Sequence, residues 1–134
     1  MSGSDVVVAH GAFRFALAFL EIDTSDFGVN VRVRIDYLGV HQTLAWTVDH
    51  LWIEYDALRR FEAALRDDAE AWLRDMSDYP VLHFERRSTG EALTINPAND
   101  RQSSDGAAVL VRLEIDSGAM QALHAALSDF PKWW

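Results

Sequence analysis

The stretch WTVDHLWIEYDALRRF, residues 46–61, changes its hydrophobic period and thereby decides the fold. Apolar residues alternate with polar ones from Trp46, as in a strand with one buried face, but the alternation slips by one residue before Leu51. A slip of one residue turns every following side chain to the other face of the sheet. We therefore predict a β-bulge at Asp49 and His50, which keeps both apolar sets on the buried face.

Helical spacing replaces the strand pattern from Asp56 onward, where polar residues fill the positions between the apolar ones. The apolar set is Leu58, Phe61, Leu65, Ala69, Trp72, Leu73 and Met76. These residues predict a helix over 56–76 with Asp56 as its N-cap. A second helix is predicted between Ser117, its expected cap, and Pro131.

Five other segments have strand character: 12–22, 29–37, 81–87, 92–96 and 107–116. Short connections favour antiparallel pairing over crossovers. The sequence therefore predicts an α+β fold with the order β-β-β-α-β-β-β-α, in which a six-stranded antiparallel sheet carries two helices on one face. Residues 1–134 fit a single domain, and residues 1–11 are expected to form a flexible N-terminal tail.

The composition limits the possible functions. Cysteine is absent, which excludes disulfides, thiolate metal sites and cysteine nucleophiles. A formal charge of −9 disfavours binding to nucleic acids and anionic membranes, and no apolar run reaches the length of a membrane span. We expect a cytoplasmic protein that has no cofactor and binds neither nucleic acid nor membrane.

The motifs of common enzyme classes are missing, since the sequence has no phosphate-binding glycine loop, no H-E-x-x-H and no G-x-S-x-G. The five histidines are scattered, although several lie on predicted strands. A site around His41, Asp49, His50 and His83 is therefore an alternative, in a small metal-dependent or acid/base hydrolase. We assign no catalytic residue and no metal ligand.

Acidic and aromatic side chains are the candidates for partner binding. The acidic group comprises Asp67, Asp68, Glu70, Asp75 and Asp78, close to the C-terminal half of the predicted helix, where the helix dipole disfavours negative charge. The second group comprises His50, Trp52 and Glu54, on the expected wet side of the bulged strand. Such surfaces suit a basic protein partner, although an acidic helix face also serves solubility alone. Trp133 and Trp134 either contact a partner or fold back onto the chain.

The helix DALRRFEAAL after three strands, the later segment ALTIN and the ending VLVRLEIDSGAMQALHAAL give the chain a recognisable layout. Over roughly residues 13–130 it resembles the WapI-type immunity proteins of bacterial polymorphic toxin systems. The resemblance implies a cytoplasmic protein without cofactor that binds and blocks a toxin domain. We therefore predict a non-enzymatic binding protein. A hydrolase, and a small-ligand-binding or oligomerising scaffold that could form a homodimer, remain alternatives.

Overall fold

A computed structural model describes residues 5–22, 28–98 and 109–130 of the chain. The elements in these ranges are β1 (Asp5–His10), β2 (Phe13–Ile22), β3 (Gly28–Leu38), β4 (Thr43–Glu54), α1 (Tyr55–Asp67), β5 (Glu70–Arg74), β6 (Pro80–Arg87), β7 (Gly90–Ile95), β8 (Val111–Ile115) and α2 (Ala119–Asp129). Trp133 and Trp134, whose role the sequence left open, lie outside the described residues.

The strands form two separate antiparallel sheets of four strands each, with the orders β1-β2-β3-β4 and β5-β6-β7-β8. The α+β class with antiparallel pairing is therefore confirmed, whereas one six-stranded sheet with both helices on a single face is wrong. Each half of the chain is a four-stranded meander followed by a helix. The break between the sheets arises because β4 runs directly into α1, and the chain then opens a new sheet with β5.

The first reason why six strands were predicted and not eight is the N-terminal segment. Residues 5–10, expected to belong to a flexible tail, form β1 at the edge of the first sheet. Val6 and Val8 point into the core, whereas Val7 points outward. A two-residue turn at Gly11 joins β1 to β2, and Gly11 has a φ of 59°. Glycine at the first loop position is typical of a tight hairpin turn, so the segment pairs with β2.

The second reason is the predicted helix over 56–76, which is too long. α1 ends at Asp67, and the rest of the predicted helix contains the strand β5. In β5, Ala71 and Leu73 are buried while Trp72 lies on the opposite face, which is the two-residue period of a strand. Arg86 of β6 donates hydrogen bonds to the carbonyl oxygens of Leu65 and Asp68 at the end of α1. A cation at this helix end also suits the helix dipole.

The β-bulge predicted at Asp49 and His50 is confirmed. Val31 pairs with Leu51 and Val33 pairs with Val48, so one residue of β3 faces two residues of β4. His50 has a φ of 55°, in the left-handed region that a bulge can require.

One hydrophobic cluster contains buried residues from both sheets and both helices. Phe84 of β6 lies at its centre and is fully buried. Its ring centroid is 6.3 Å from that of Phe13 in β2 and 5.9 Å from that of Phe61 in α1. The two sheets therefore share a core, which also holds α1 and α2 in place.

A distant carboxylate caps α2 instead of the expected Ser117. Gly118 precedes the helix with a φ of 99° and offers no side chain. Glu91, from β7, accepts hydrogen bonds from the backbone N–H groups of Gly118 at 3.1 Å and Met120 at 2.8 Å. Its negative charge also suits the positive end of the helix dipole.

We expect Gly11→Ala to lower the free energy of unfolding by about 1–2 kcal/mol, because an alanine at positive φ is strained. Its Cβ would also overlap Oδ2 of Asp116. Chemical denaturation measures the loss, and the double variant Gly11→Ala/Asp116→Ala relieves the overlap but keeps the strain. Unchanged stability of Gly11→Ala would contradict the turn geometry.

Candidate functional site

The second sheet carries a cluster of polar and aromatic side chains on its outer face, which is the face opposite the core. Strand alternation places Glu70 and Trp72 of β5 and His83 and Glu85 of β6 on this face. Glu70 is the direct cross-strand partner of Glu85, and Trp72 is the partner of His83. We call these four residues the outer-face cluster.

Ring stacking fixes the middle of the cluster. The rings of Trp72 and His83 are nearly parallel, with centroids 3.7 Å apart and an interplanar angle of 14°. The guanidinium of Arg74 lies 5.1 Å from the Trp72 ring centroid, within the range of a cation–π contact. These two contacts hold the Trp72 ring in one orientation. Because Trp72 is only half-buried, part of its side chain stays accessible to solvent.

The imidazole of His83 lies between the two carboxylates of the cluster. Its Nε2 atom is 3.3 Å from Oε1 of Glu70, and its Nδ1 atom is 4.0 Å from Oε2 of Glu85. Within the described ranges, Glu70, His83 and Glu85 are the one group of three metal-ligating side chains whose ligand atoms all lie within 4.8 Å of one another. These are therefore the residues that could hold a metal ion.

An open groove of about 480 Å³ runs along this cluster beside the end of α1. Its lining comprises Asp68, Ala69, Glu70, Trp72, Glu85 and Arg86. Because the guanidinium of Arg86 binds carbonyl oxygens at the end of α1, its donors are engaged within the chain. The carboxylates of Asp68 and Glu70 are exposed to solvent. We call this feature the acidic groove.

Nearby cations already engage two of the surrounding carboxylates. Glu85 lies 3.3 Å from both Arg87 and Arg112. Asp67 accepts two hydrogen bonds of 2.8 Å from Arg66. This hydrogen bonding lowers the pKa of the Asp67 carboxyl below its ordinary value, so Asp67 is ionised but partly neutralised. Asp68 and Glu70 therefore contribute most of the negative charge that the groove presents.

The acidic residues expected on one helix end separate into two groups. Asp67, Asp68 and Glu70 lie at or beside the acidic groove. Asp75 lies in the turn after β5, where its buried carboxylate accepts N–H bonds from Ser77 at 2.9 Å and Tyr79 at 3.0 Å. The Asp75 carboxylate therefore shapes a turn.

Asp78 lies in the same turn with a φ of 63°. Its carboxylate is exposed and 3.9 Å from the guanidinium of Arg74. Because α1 ends at Asp67, Asp75 does not belong to the helix on which it was expected, and Asp78 does not follow the end of that helix directly.

His50, Trp52 and Glu54 lie on β4, in the other sheet. His50 and Glu54 are exposed and Trp52 is half-buried. Nδ1 of His50 is 3.4 Å from the side-chain nitrogen of Asn30, and the carbonyl oxygen of Trp52 accepts a 2.9 Å hydrogen bond from the N–H of Met76. His50, Trp52 and Glu54 thus lie on the first sheet, whereas the acidic residues lie at the end of α1, on β5 and in the turn after β5.

The residues of the alternative hydrolase site have separate surroundings. Asp49 forms an ion pair with Arg32 on the first sheet. His41 is exposed in the turn between β3 and β4, His50 lies beside Asn30, and His83 belongs to the outer-face cluster of the second sheet. Within the described ranges, the four residues of this alternative therefore do not form one group of neighbouring ligand atoms. The groove beside α1 is open and charged, unlike the enclosed apolar pocket that a ligand-binding scaffold needs.

Sequence reasoning missed the outer-face cluster as a unit. One signal was available, since His83 and Glu85 are two residues apart on a predicted strand and must share a face. The partner strand was hidden, because Glu70 and Trp72 were placed on a helix.

Searches of known protein families, curated proteins and solved structures found no match to this chain. The resemblance to WapI-type immunity proteins thus stays a prediction. Among the described residues, neither helix has the length and hydrophobicity needed to cross a membrane.

Proposed function

We propose that this chain is a non-enzymatic, cytoplasmic binding protein that engages a basic protein partner through the acidic groove. The resemblance to WapI-type immunity proteins suggests that the partner is a toxin domain, whose active surface would be masked. The observation that supports this proposal best is the exposure of Asp68 and Glu70 in one groove with the half-buried Trp72.

Trp72 has the properties of an interface anchor. Tryptophan is enriched among residues that dominate binding energy, particularly where its ring is held rigidly before binding. The stack on His83 and the contact with Arg74 supply this rigidity. A partner that covers the groove would therefore bury the accessible part of the ring at little cost in side-chain entropy.

The carboxylates beside Trp72 would select the partner by charge. The whole chain carries a formal charge of −9, which attracts basic proteins over a distance set by the ionic strength. Exposed charges at the rim of an interface mainly raise the association rate and its salt dependence. The proposal therefore includes association that slows as salt increases.

Affinity capture from the host cell, followed by mass spectrometry, tests the proposal. The tagged wild type is compared with Asp68→Lys/Glu70→Lys and with a control of equal charge change, Asp56→Lys/Asp129→Lys, at exposed positions of α1 and α2. We expect one stoichiometric basic protein with the wild type and the control, and its loss with the groove variant. With that protein purified, we expect the groove variant to bind at least about tenfold more weakly.

Co-expression then tests the immunity function itself. If the captured protein arrests growth, the wild type and the control should restore growth, and the groove variant should not. Equal capture by all three variants would remove the groove from the interface. Recovery of no stoichiometric partner from cells that express both proteins would contradict the binding function.

A further inference from the structure

We propose that Glu70, His83 and Glu85 form a binding site for a divalent transition-metal ion, and that Zn²⁺ suits it best. This proposal concerns the chain alone and does not depend on a protein partner. It rests on a buried imidazole, on two carboxylates placed opposite each other, and on the mixed nitrogen and oxygen ligand set.

The buried imidazole nitrogen is the first observation. His83 is only 8% exposed, and its Nε2 atom makes no hydrogen bond. The atom points toward Glu70, whose Oε1 lies 3.3 Å away, within ion-pair distance. A buried polar atom without a hydrogen bond is costly and calls for an explanation. A metal ion between Nε2 and Glu70 would satisfy both groups at once.

The facing carboxylates are the second observation. Glu70 and Glu85 are direct cross-strand partners, and like charges in this position repel each other. Arg87 and Arg112 both contact Oε2 of Glu85, at 3.3 Å. A carboxylate has acceptor sites on both oxygens, so Oε1 of Glu85 is still available to a cation. A divalent ion would turn the repulsion between Glu70 and Glu85 into shared coordination.

The ligand set indicates which ion fits. Imidazole nitrogen with two carboxylate oxygens is a common environment for Zn²⁺ and its neighbours, whereas Mg²⁺ and Ca²⁺ prefer oxygen ligands alone. Zn²⁺ bonds to such ligands are about 2.0–2.2 Å long, so two ligand atoms in a tetrahedral site are about 3.4 Å apart. The 3.3 Å between Nε2 of His83 and Oε1 of Glu70 fits this value. The ligand atoms of all three residues spread over up to 4.8 Å, which the exposed Glu70 side chain can narrow by changing rotamer.

Isothermal titration of the purified chain with ZnCl₂ near neutral pH tests the site. We expect one Zn²⁺ ion per chain, with no displacement by excess Mg²⁺ or Ca²⁺. Glu70→Gln and Glu85→Gln should each weaken binding about tenfold or more, because each removes a charged ligand. Glu114→Gln is the matched control, since it changes an exposed carboxylate on β8 of the same sheet and should bind like the wild type.

Tryptophan fluorescence locates the ion independently. Trp72 stacks on His83 at 3.7 Å, so Cu²⁺ or Ni²⁺ at this site should quench its emission in a saturable step. In Trp72→Phe the saturable step should disappear, while calorimetry still shows one Zn²⁺ per chain. Circular dichroism checks that each variant is folded.

Two results would overturn the proposal. The first is a wild-type chain that shows no saturable Zn²⁺ binding. The second is Zn²⁺ binding of equal strength in Glu70→Gln, Glu85→Gln and the wild type, which would place the ion at other histidines. Neither result bears on the basic protein partner, because the partner is absent from these measurements.

Discussion

Phe84→Ala is expected to lower the free energy of unfolding by about 3–5 kcal/mol, the range for removing a fully buried aromatic ring. Phe84 is fully buried and contacts Phe13 of the first sheet and Phe61 of α1. The substitution therefore opens a cavity where both sheets and α1 meet. Because these elements share one core, we also expect a single cooperative unfolding transition in the variant and in the wild type.

Urea denaturation followed by both circular dichroism and tryptophan fluorescence measures this effect. Phe19→Ala is the control, since Phe19 is only partly buried and stacks on Phe130 at 4.9 Å near the rim of the core. The free energy of unfolding should fall clearly less in Phe19→Ala than in Phe84→Ala. A loss below about 1 kcal/mol for Phe84→Ala, or two transitions at different urea concentrations, would contradict a core shared by the two sheets.

Glu91→Ala is expected to cost about 2–3 kcal/mol, because hydrogen bonds to a charged group are worth more than neutral ones. The carboxylate accepts N–H bonds from Gly118 and Met120, and Gly118 has no side chain that could replace it. The bond to Met120 is buried, so its N–H would lose its acceptor without gaining water.

Glu91→Gln keeps only part of this interaction, since its single amide oxygen can replace one of the two carboxylate oxygens that accept from Gly118 and Met120, and the charge that suits the helix dipole is lost. We expect an intermediate loss for this variant. Glu114→Ala is the control, as its exposed carboxylate forms only a surface ion pair of 3.6 Å with Arg87. Equal stability of Glu91→Ala and Glu114→Ala, measured by thermal and urea unfolding, would show that Glu91 does not cap α2.

Strong local periodicity made part of the fold predictable. β3 and the bulge at Asp49 and His50 follow from alternation and its slip, which depend only on neighbouring residues. Segment 70–74 was misassigned because Trp72 and Leu73 also continue the helical stripe of α1. The segment forms a strand because Ala71 and Leu73 become buried when it pairs with the second sheet. A pattern of five residues cannot reveal this long-range burial.

Long-range contacts explain the other errors. Residues 5–10 were expected to be a tail because they precede the first clear alternation, yet they pair with β2 through the turn at Gly11. The caps supplied by Arg86 and Glu91 come from strands distant in sequence, so a local signal such as Ser117 could not identify them. The candidate site was equally hidden, because Glu70 and Glu85 meet only when β5 is a strand.

The contact between β1 and the distant helix α2 affects the order of events during synthesis on the ribosome. His10 lies 2.9 Å from the carbonyl oxygen of Ser117, and α2 packs against β1, where Val6 and Val8 are buried. The hairpins of both sheets can close as soon as they emerge, since they join neighbouring segments. The side of β1 that α2 covers stays open until α2 is translated. The nascent chain thus exposes the apolar face of β1 during most of its elongation, and this is the stage at which chaperones would protect it from aggregation.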